Sequence, residues 1–202
     1  GKKYAENISQ LALANVDFDM QNRHHISYNL MMIHANTQSV GDYNGKNSIF
    51  SDDYENLGFT RRQQTNDNML IVNQLMTNWG LTKSLSLDAG ASYNMVKGYE
   101  PDRRINNLTK AEDGYTLLRG NSQQRYFSTL DEDDLNVKAG LVYRLKDNIE
   151  EISNVRFGYT GRFVDDNFKA TEYNLTVGHV SAIPSLDDFS LDDYYNQENF
   201  AS

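Results

Sequence analysis

Apolar and polar residues take turns along two stretches of this chain. From Leu85 to Met95 the odd positions read Leu85, Leu87, Ala89, Ala91, Tyr93 and Met95, with Ser86, Asp88, Gly90, Ser92 and Asn94 between them. From Leu135 to Leu145 the odd positions are Leu135, Val137, Ala139, Leu141, Tyr143 and Leu145, set against Asn136, Lys138, Gly140, Val142 and Arg144. A period of two predicts an extended strand with one apolar and one polar face. About ten residues is also the length a tilted strand needs to cross the hydrocarbon core of a bilayer.

The same pattern recurs in weaker form. A strand is predicted from about Ile8 to Met20, with Ala12, Ala14, Val16, Phe18 and Met20 on its apolar face. Gln21 to Arg23 turns the chain into a second strand carrying Ile26, Tyr28, Leu30 and Met32, where Met31 and Ile33 break the alternation. A third runs from Asp67 to Trp79 with a continuous apolar run from Met69 to Val72, and Gly80 to Lys83 leads into the fourth. The fifth ends near Leu145, and a sixth runs from Asn154 to Val164. The strand pairs thus fall at about 8–36, 67–96 and 134–164, and long loops are expected at about 37–66, 98–132 and 165–202. The last segment is expected to hold some strand around Phe168 to Val180.

This is an all-β pattern, an antiparallel up-and-down meander of about six strands. Its short and long connections alternate, as in a segment of a transmembrane β-barrel with short periplasmic turns and long extracellular loops. Trp79, at a strand end beside a short turn, is the candidate for an interfacial aromatic girdle.

Composition sharpens this reading. Hydrophobic residues make up 39% of the 202 and mean hydropathy is −0.68, low for a thick internal core but ordinary for a barrel wall with a polar lumen. No apolar run approaches the roughly 18 residues of a membrane helix. A net charge of −9 speaks against nucleic acid as a partner. The absence of cysteine removes thiol nucleophiles, disulfides and Cys-based zinc sites. The N-terminus has no signal-peptide pattern, and both ends read as cuts in a longer polypeptide.

Several phrases carry a family resemblance. Arg61, Arg62, Gln63 and Gln64 lead into Leu70, Ile71, Val72, Asn73, Gln74 and Leu75. Asn94 to Gly98 leads to Pro101, Asp102, Arg103 and Arg104, and Arg125, Tyr126 and Phe127 precede the acidic start at Asp133 and Asp134. Gly158 to Phe163 runs on to Phe168 to Tyr173, and Tyr194 to Phe200 closes the chain. Across nearly its whole length the chain resembles part of the barrel domain of Bacteroidetes TonB-dependent outer-membrane receptors. That resemblance implies a cell outer-membrane location, a plugged parent barrel of about 22 strands and energised nutrient uptake. It implies as partners TonB, reached through a plug region this chain lacks, an unidentified nutrient ligand, the lipid bilayer, and a lid lipoprotein in some members. This chain would contribute wall and extracellular ligand-facing loops.

Candidate chemistry is sparse. Adjacent His24 and His25 point to opposite strand faces, and neither His34 nor His179 has a second histidine at ligand spacing. The acidic clusters at 52–53, 131–134, 165–166, 187–188 and 192–193 lack the ligand order of a calcium loop. No serine-hydrolase or metalloprotease motif is present, so no enzyme is expected, and no catalytic, cofactor-binding or metal residue is assigned. The candidate ligand-contact set lies in the second long loop: Asp102, Arg103, Arg104, Tyr115 and Arg119, since Arg and Tyr suit polar organic ligands. Two other classes stay open: a soluble β-barrel or β-sandwich that binds ligand or mediates adhesion, and a passive outer-membrane pore.

Overall fold

The computed structural model describes residues 1–21, 23–46, 57–112, 114–117, 123–148 and 151–175. The order is β1 (Lys2–Met20), β2 (His24–Lys46), β3 (Leu57–Gly80), β4 (Leu85–Ala111), β5 (Gly114–Leu117), β6 (Gln123–Asn148) and β7 (Glu151–Leu175). All pairings are antiparallel, in the order β1-β2-β3-β4-β6-β7, with the short β5 folded back on β4. The expected meander is therefore present, and among the described residues it is an open sheet whose outer edges, β1 and β7, have no strand partner.

The strands are far longer than their apolar stretches. β2, β3, β4, β6 and β7 have 23, 24, 27, 26 and 25 residues. The expected long loops are corrected accordingly: 37–46, 57–66, 98–111, 123–132 and 165–167 are strand; the strand expected from Phe168 is present as far as Leu175, while 47–56, 118–122 and 176–202 lie outside the described residues. The physical reason is that these extensions are largely polar, with apolar residues such as Phe59 and Leu108 scattered singly, so no alternation marks them. Ladder bonds and directly opposed side chains hold them instead, as where Arg61 grips the carboxylate of Asp42 at 2.8 and 2.9 Å and Thr60 donates to Asn107 at 2.7 Å.

The register turns separate alternations into one surface, because directly paired residues share a face. Nearest the short turns lies the row Met20, His24, Trp79, Leu87, Leu141, Phe157. Moving away from the turns come Phe18, Ile26, Thr77, Ala89, Ala139, Tyr159, and then Val16, Tyr28, Leu75, Ala91, Val137, Gly161. Ala14, Leu30, Asn73, Tyr93, Leu135, Phe163 follow. Beyond Ala12, Met32, Ile71 and Met95 the face turns polar at Gln10, His34 and Lys97, with Met69 between the last two. On β6 and β7 the change comes one row earlier, at Asp133 and Asp165.

Nearest the short turns the opposite face is polar. Its rows read Asp19, His25, Asn78, Asp88, Gly140, Gly158, then Asp17, Ser27, Met76, Gly90, Lys138, Thr160, then Asn15, Asn29, Gln74, Ser92, Asn136, Arg162. Above them Leu11, Leu13, Met31, Ile33, Leu70 and Val72 meet in adjacent rows, which explains the broken alternation in β2 and β3. They make an apolar patch on the otherwise polar face.

No second layer covers the apolar face among the described residues. The buried hydrophobic side chains are Phe59, Leu108 and Leu117, all where β5 folds against β3 and β4. Phe157 is 81% exposed, Tyr159 66% and Phe18 57%, on a face that any water-soluble fold would bury.

Glycines shape the polar face. Gly90, Gly140 and Gly158 withhold side chains there, beside hollows of about 640 and 160 Å³. A Cβ on Gly158 would meet the carbonyl oxygen of Ala139 at 2.7 Å and the Cα of Gly140 at 3.0 Å, so β6 and β7 approach too closely for any side chain. Gly158→Ala is expected to lower stability by about 1–3 kcal/mol, read as a drop in thermal midpoint. Gly45→Ala, where a Cβ meets nothing within 4 Å, is expected to leave the midpoint in place.

Candidate functional site

The residues singled out for ligand contact lie in strands rather than in a loop. Asp102, Arg103 and Arg104 belong to β4, and Tyr115 belongs to β5; Arg119 lies outside the described residues. β4 carries a bulge here, its register slipping between Glu100 and Arg103 against β6 and between Gln63 and Asp67 of β3. Pro101 sits inside it, as a residue that cannot donate to the ladder must.

Strand alternation divides the candidates between two faces, and the bulge decides which face each takes. Asp102 and Arg104 come to the face that carries the apolar rows, and the carboxylate of Asp102 bridges Arg104 and Arg125. The Arg125 pair is a fork, Nε to Oδ1 at 3.1 Å and Nη2 to Oδ2 at 2.7 Å. Arg104 and Arg125 are direct cross-strand partners, so Asp102 neutralises a repulsion that would otherwise open the ladder. With Gln38, Gln63 and Thr65, Asp102 and Arg104 border a hollow of about 370 Å³.

Arg103 goes to the polar face. Its guanidinium lies 4.1 Å from the ring centroid of Tyr126, with Glu100 at 3.7 Å. Glu100 is buried, and its Oε1 has no hydrogen-bond partner among the described residues. Tyr115 packs on Phe59 with ring centroids 6.1 Å apart, in the small apolar cluster under β5. The five candidates therefore do not converge: of those described, only Arg103 faces the polar side, and its partners there are Tyr126 and Glu100.

The sequence reading missed Arg125, Tyr126, Glu100, Asp42 and Arg61. Pro101 was the available signal, since a proline inside a strand implies a bulge and a switch of faces; the partners on β6 follow only from register.

Nearer the short turns the polar face is a network. Asn15, Asn29 and Gln74 form an amide ladder across β1, β2 and β3. Asp134 accepts from Arg162 at 3.1 and 3.2 Å, from Asn136 at 3.0 Å and from Asn94 at 3.5 Å. Asp88 takes Asn78 and Arg156, the latter at 3.3 Å. His24 and His25 do point to opposite faces: His24 stacks on Trp79 at 4.2 Å, and His25 meets Asp19 at 2.8 Å. Trp79 stands in the apolar row nearest the turns, one residue before the end of β3. Among the described residues no group of three or more His, Asp or Glu side chains converges as a metal site.

No family model and no curated protein matches this chain.

Asp102 gives the extended region a pH signature. Burial pushes its carboxyl upward, but hydrogen bonds and charge from Arg125 and Arg104 outweigh it and hold the group below its ordinary value. A depressed carboxylate contributes stability that is complete above the ordinary value and is lost as pH falls through the depressed one. Asp102→Asn is expected to cost about 1 kcal/mol near neutrality, a modest figure because Arg125 stays 39% exposed and water screens the pair. Denaturant midpoints of both proteins should converge as pH is lowered from about 6 to about 2.

Proposed function

We propose that this chain is a stretch of transmembrane β-barrel wall from an outer-membrane transporter of the TonB-dependent receptor kind. The observation that carries the reading is the band assembled by the register, apolar on one face and, over the rows nearest the short turns, polar on the other. In β4 it spans Leu85 to Met95, about 33 Å of strand at 3.3 Å per residue. Tilted by about 40° the band stands about 25 Å tall, the height of the lipid-facing zone of outer-membrane barrels. Each large side chain on it stands to gain about 1.5–3 kcal/mol by leaving water. The row of His24, Trp79 and Phe157 then lies where an aromatic girdle belongs.

The apolar patch of Leu11, Leu13, Met31, Ile33, Leu70 and Val72 favours a plugged barrel over an open pore. On a lumen face it needs cover from something packed inside, which a water-filled channel does not supply. Energised uptake comes from the family resemblance, in which the wall surrounds a plug that contacts TonB. In this reading the strand extensions beyond the band rise above the outer leaflet, and Arg103 with Tyr126 faces the solute's entrance. Cell fractionation with intact-mass measurement tests it. The native polypeptide should sediment with the outer membrane and weigh several times 23.1 kDa. A water-soluble polypeptide near 23.1 kDa would overturn the reading.

A further inference from the structure

We infer that the turn end of the polar face holds a binding site for a phosphate-class oxyanion, built from Arg23, Lys83 and Arg144. In a chain of net charge −9, these three cations line one hollow of about 170 Å³ with no carboxylate among its lining residues. Thr82, Ser84 and Ser86 add hydroxyl groups. Among the described residues none of the three cationic side chains has a hydrogen bond or ion pair. Of the other cations on this face, Arg156 meets Asp88 at 3.3 Å and Arg162 meets Asp134 at 3.1 Å, while Lys138 has no ion pair among the described residues.

The backbone fixes the three positions relative to one another. The N–H of Gly80 donates to the carbonyl of Arg23 at 2.9 Å, tying the β1–β2 turn to the end of β3. A Cβ on Gly80 would sit 2.9 Å from that same oxygen, so only glycine permits the approach. The N–H of Arg144 donates to the carbonyl of Ser84 at 2.8 Å, tying β6 to the β3–β4 turn. That turn is closed internally, the Thr82 hydroxyl accepting from the N–H groups of Ser84 at 3.2 Å and Leu85 at 3.0 Å. Three separate segments are thus clamped through their backbones with Arg23, Lys83 and Arg144 lining one hollow, so only the side chains remain to be ordered when an anion arrives. Guanidinium forks and an ammonium around hydroxyl donors match the oxygens of a phosphate group.

Arg144 and Ser86 lie on the polar face, opposite Leu87 and Leu141, which favours a soluble anion over a lipid headgroup. The site does not rest on the transporter reading, because it needs only the clamped turns. The test uses the full polypeptide that carries this chain, in phosphatidylcholine nanodiscs with and without phosphatidylglycerol. Inorganic phosphate is titrated by calorimetry, and retained phosphatidylglycerol is read by native mass spectrometry. Saturable phosphate binding is expected, weakened about tenfold or more by combining Arg23→Gln, Lys83→Gln and Arg144→Gln. Arg156→Gln, which removes a cation outside the hollow, should leave it unchanged. Retention of phosphatidylglycerol that the triple substitution abolishes, without phosphate binding, would keep the site and assign it to a headgroup. Binding of neither, or binding that survives the triple substitution, would overturn the inference; the altered side chains are exposed, so an unchanged β-sheet spectrum verifies the fold.

Discussion

Replacing Ala91 by arginine is expected to be among the most damaging single changes in this chain once it sits in a membrane. Ala91 lies in the middle row of the apolar face, directly between Leu75 on β3 and Val137 on β6. A guanidinium there would have to stand in hydrocarbon or drag water in, at about 2–4 kcal/mol at the bilayer midplane. Ser92, the next residue, points to the polar face between Gln74 and Asn136. Ser92→Arg should therefore be nearly silent, although the added volume and charge are similar. Folded fractions of both variants in lipid vesicles, by protease protection and heat-dependent gel mobility, read the difference. Equal damage at both positions would contradict the assignment of faces.

The second large effect concerns the 202 residues on their own. Released from detergent, the isolated chain is expected to self-associate into large, polydisperse species. Two causes act together. β1 and β7 each present a row of unpaired N–H and C=O groups along 19 and 25 residues, a template for further strand pairing. The apolar face leaves side chains such as Phe157 and Leu75 in water, 81% and 50% exposed. Sedimentation velocity with and without detergent separates the outcomes. A single monomeric boundary in plain buffer would mean that the apolar face is covered within the chain, and the soluble β-protein would replace the membrane wall.

How much of this was legible in the sequence follows from where burial differs between faces. The alternations at 85–95 and 135–145 located β4 and β6, their facing and their turns, because lipid-compatible and polar positions differ strongly there. Past Lys97 and Asp133 apolar residues are few and not in alternation, and a strand of that kind is indistinguishable from a loop by periodicity. The run Met69 to Val72 obscured β3 for the opposite reason: its even positions, Leu70 and Val72, join a patch with Leu11, Leu13, Met31 and Ile33 that only register assembles. The candidate set splits because consecutive strand residues alternate faces, and the extra residue at Pro101 decides that Asp102 and Arg104 join the side of the apolar rows and Arg103 the polar side. Arg125 and Tyr126, their partners, lie on β6, too far along the sequence for local reading to connect. The clamped turns were invisible for a similar reason, since the three cations come from three separate segments.

The most direct test of the proposal that the apolar band faces lipid is a labelling scan along β4. The chain contains no cysteine, so a single one introduced at each position from 85 to 97 carries a spin label unique within it. With the full polypeptide in membranes, accessibility to oxygen and to a water-soluble nickel complex is measured at every site. The band predicts a strict alternation, odd positions from 85 to 95 favouring oxygen and even positions favouring nickel, with the contrast fading at Lys97. Uniform access to the nickel complex on both faces, or an apolar face protected from both reagents, would contradict it.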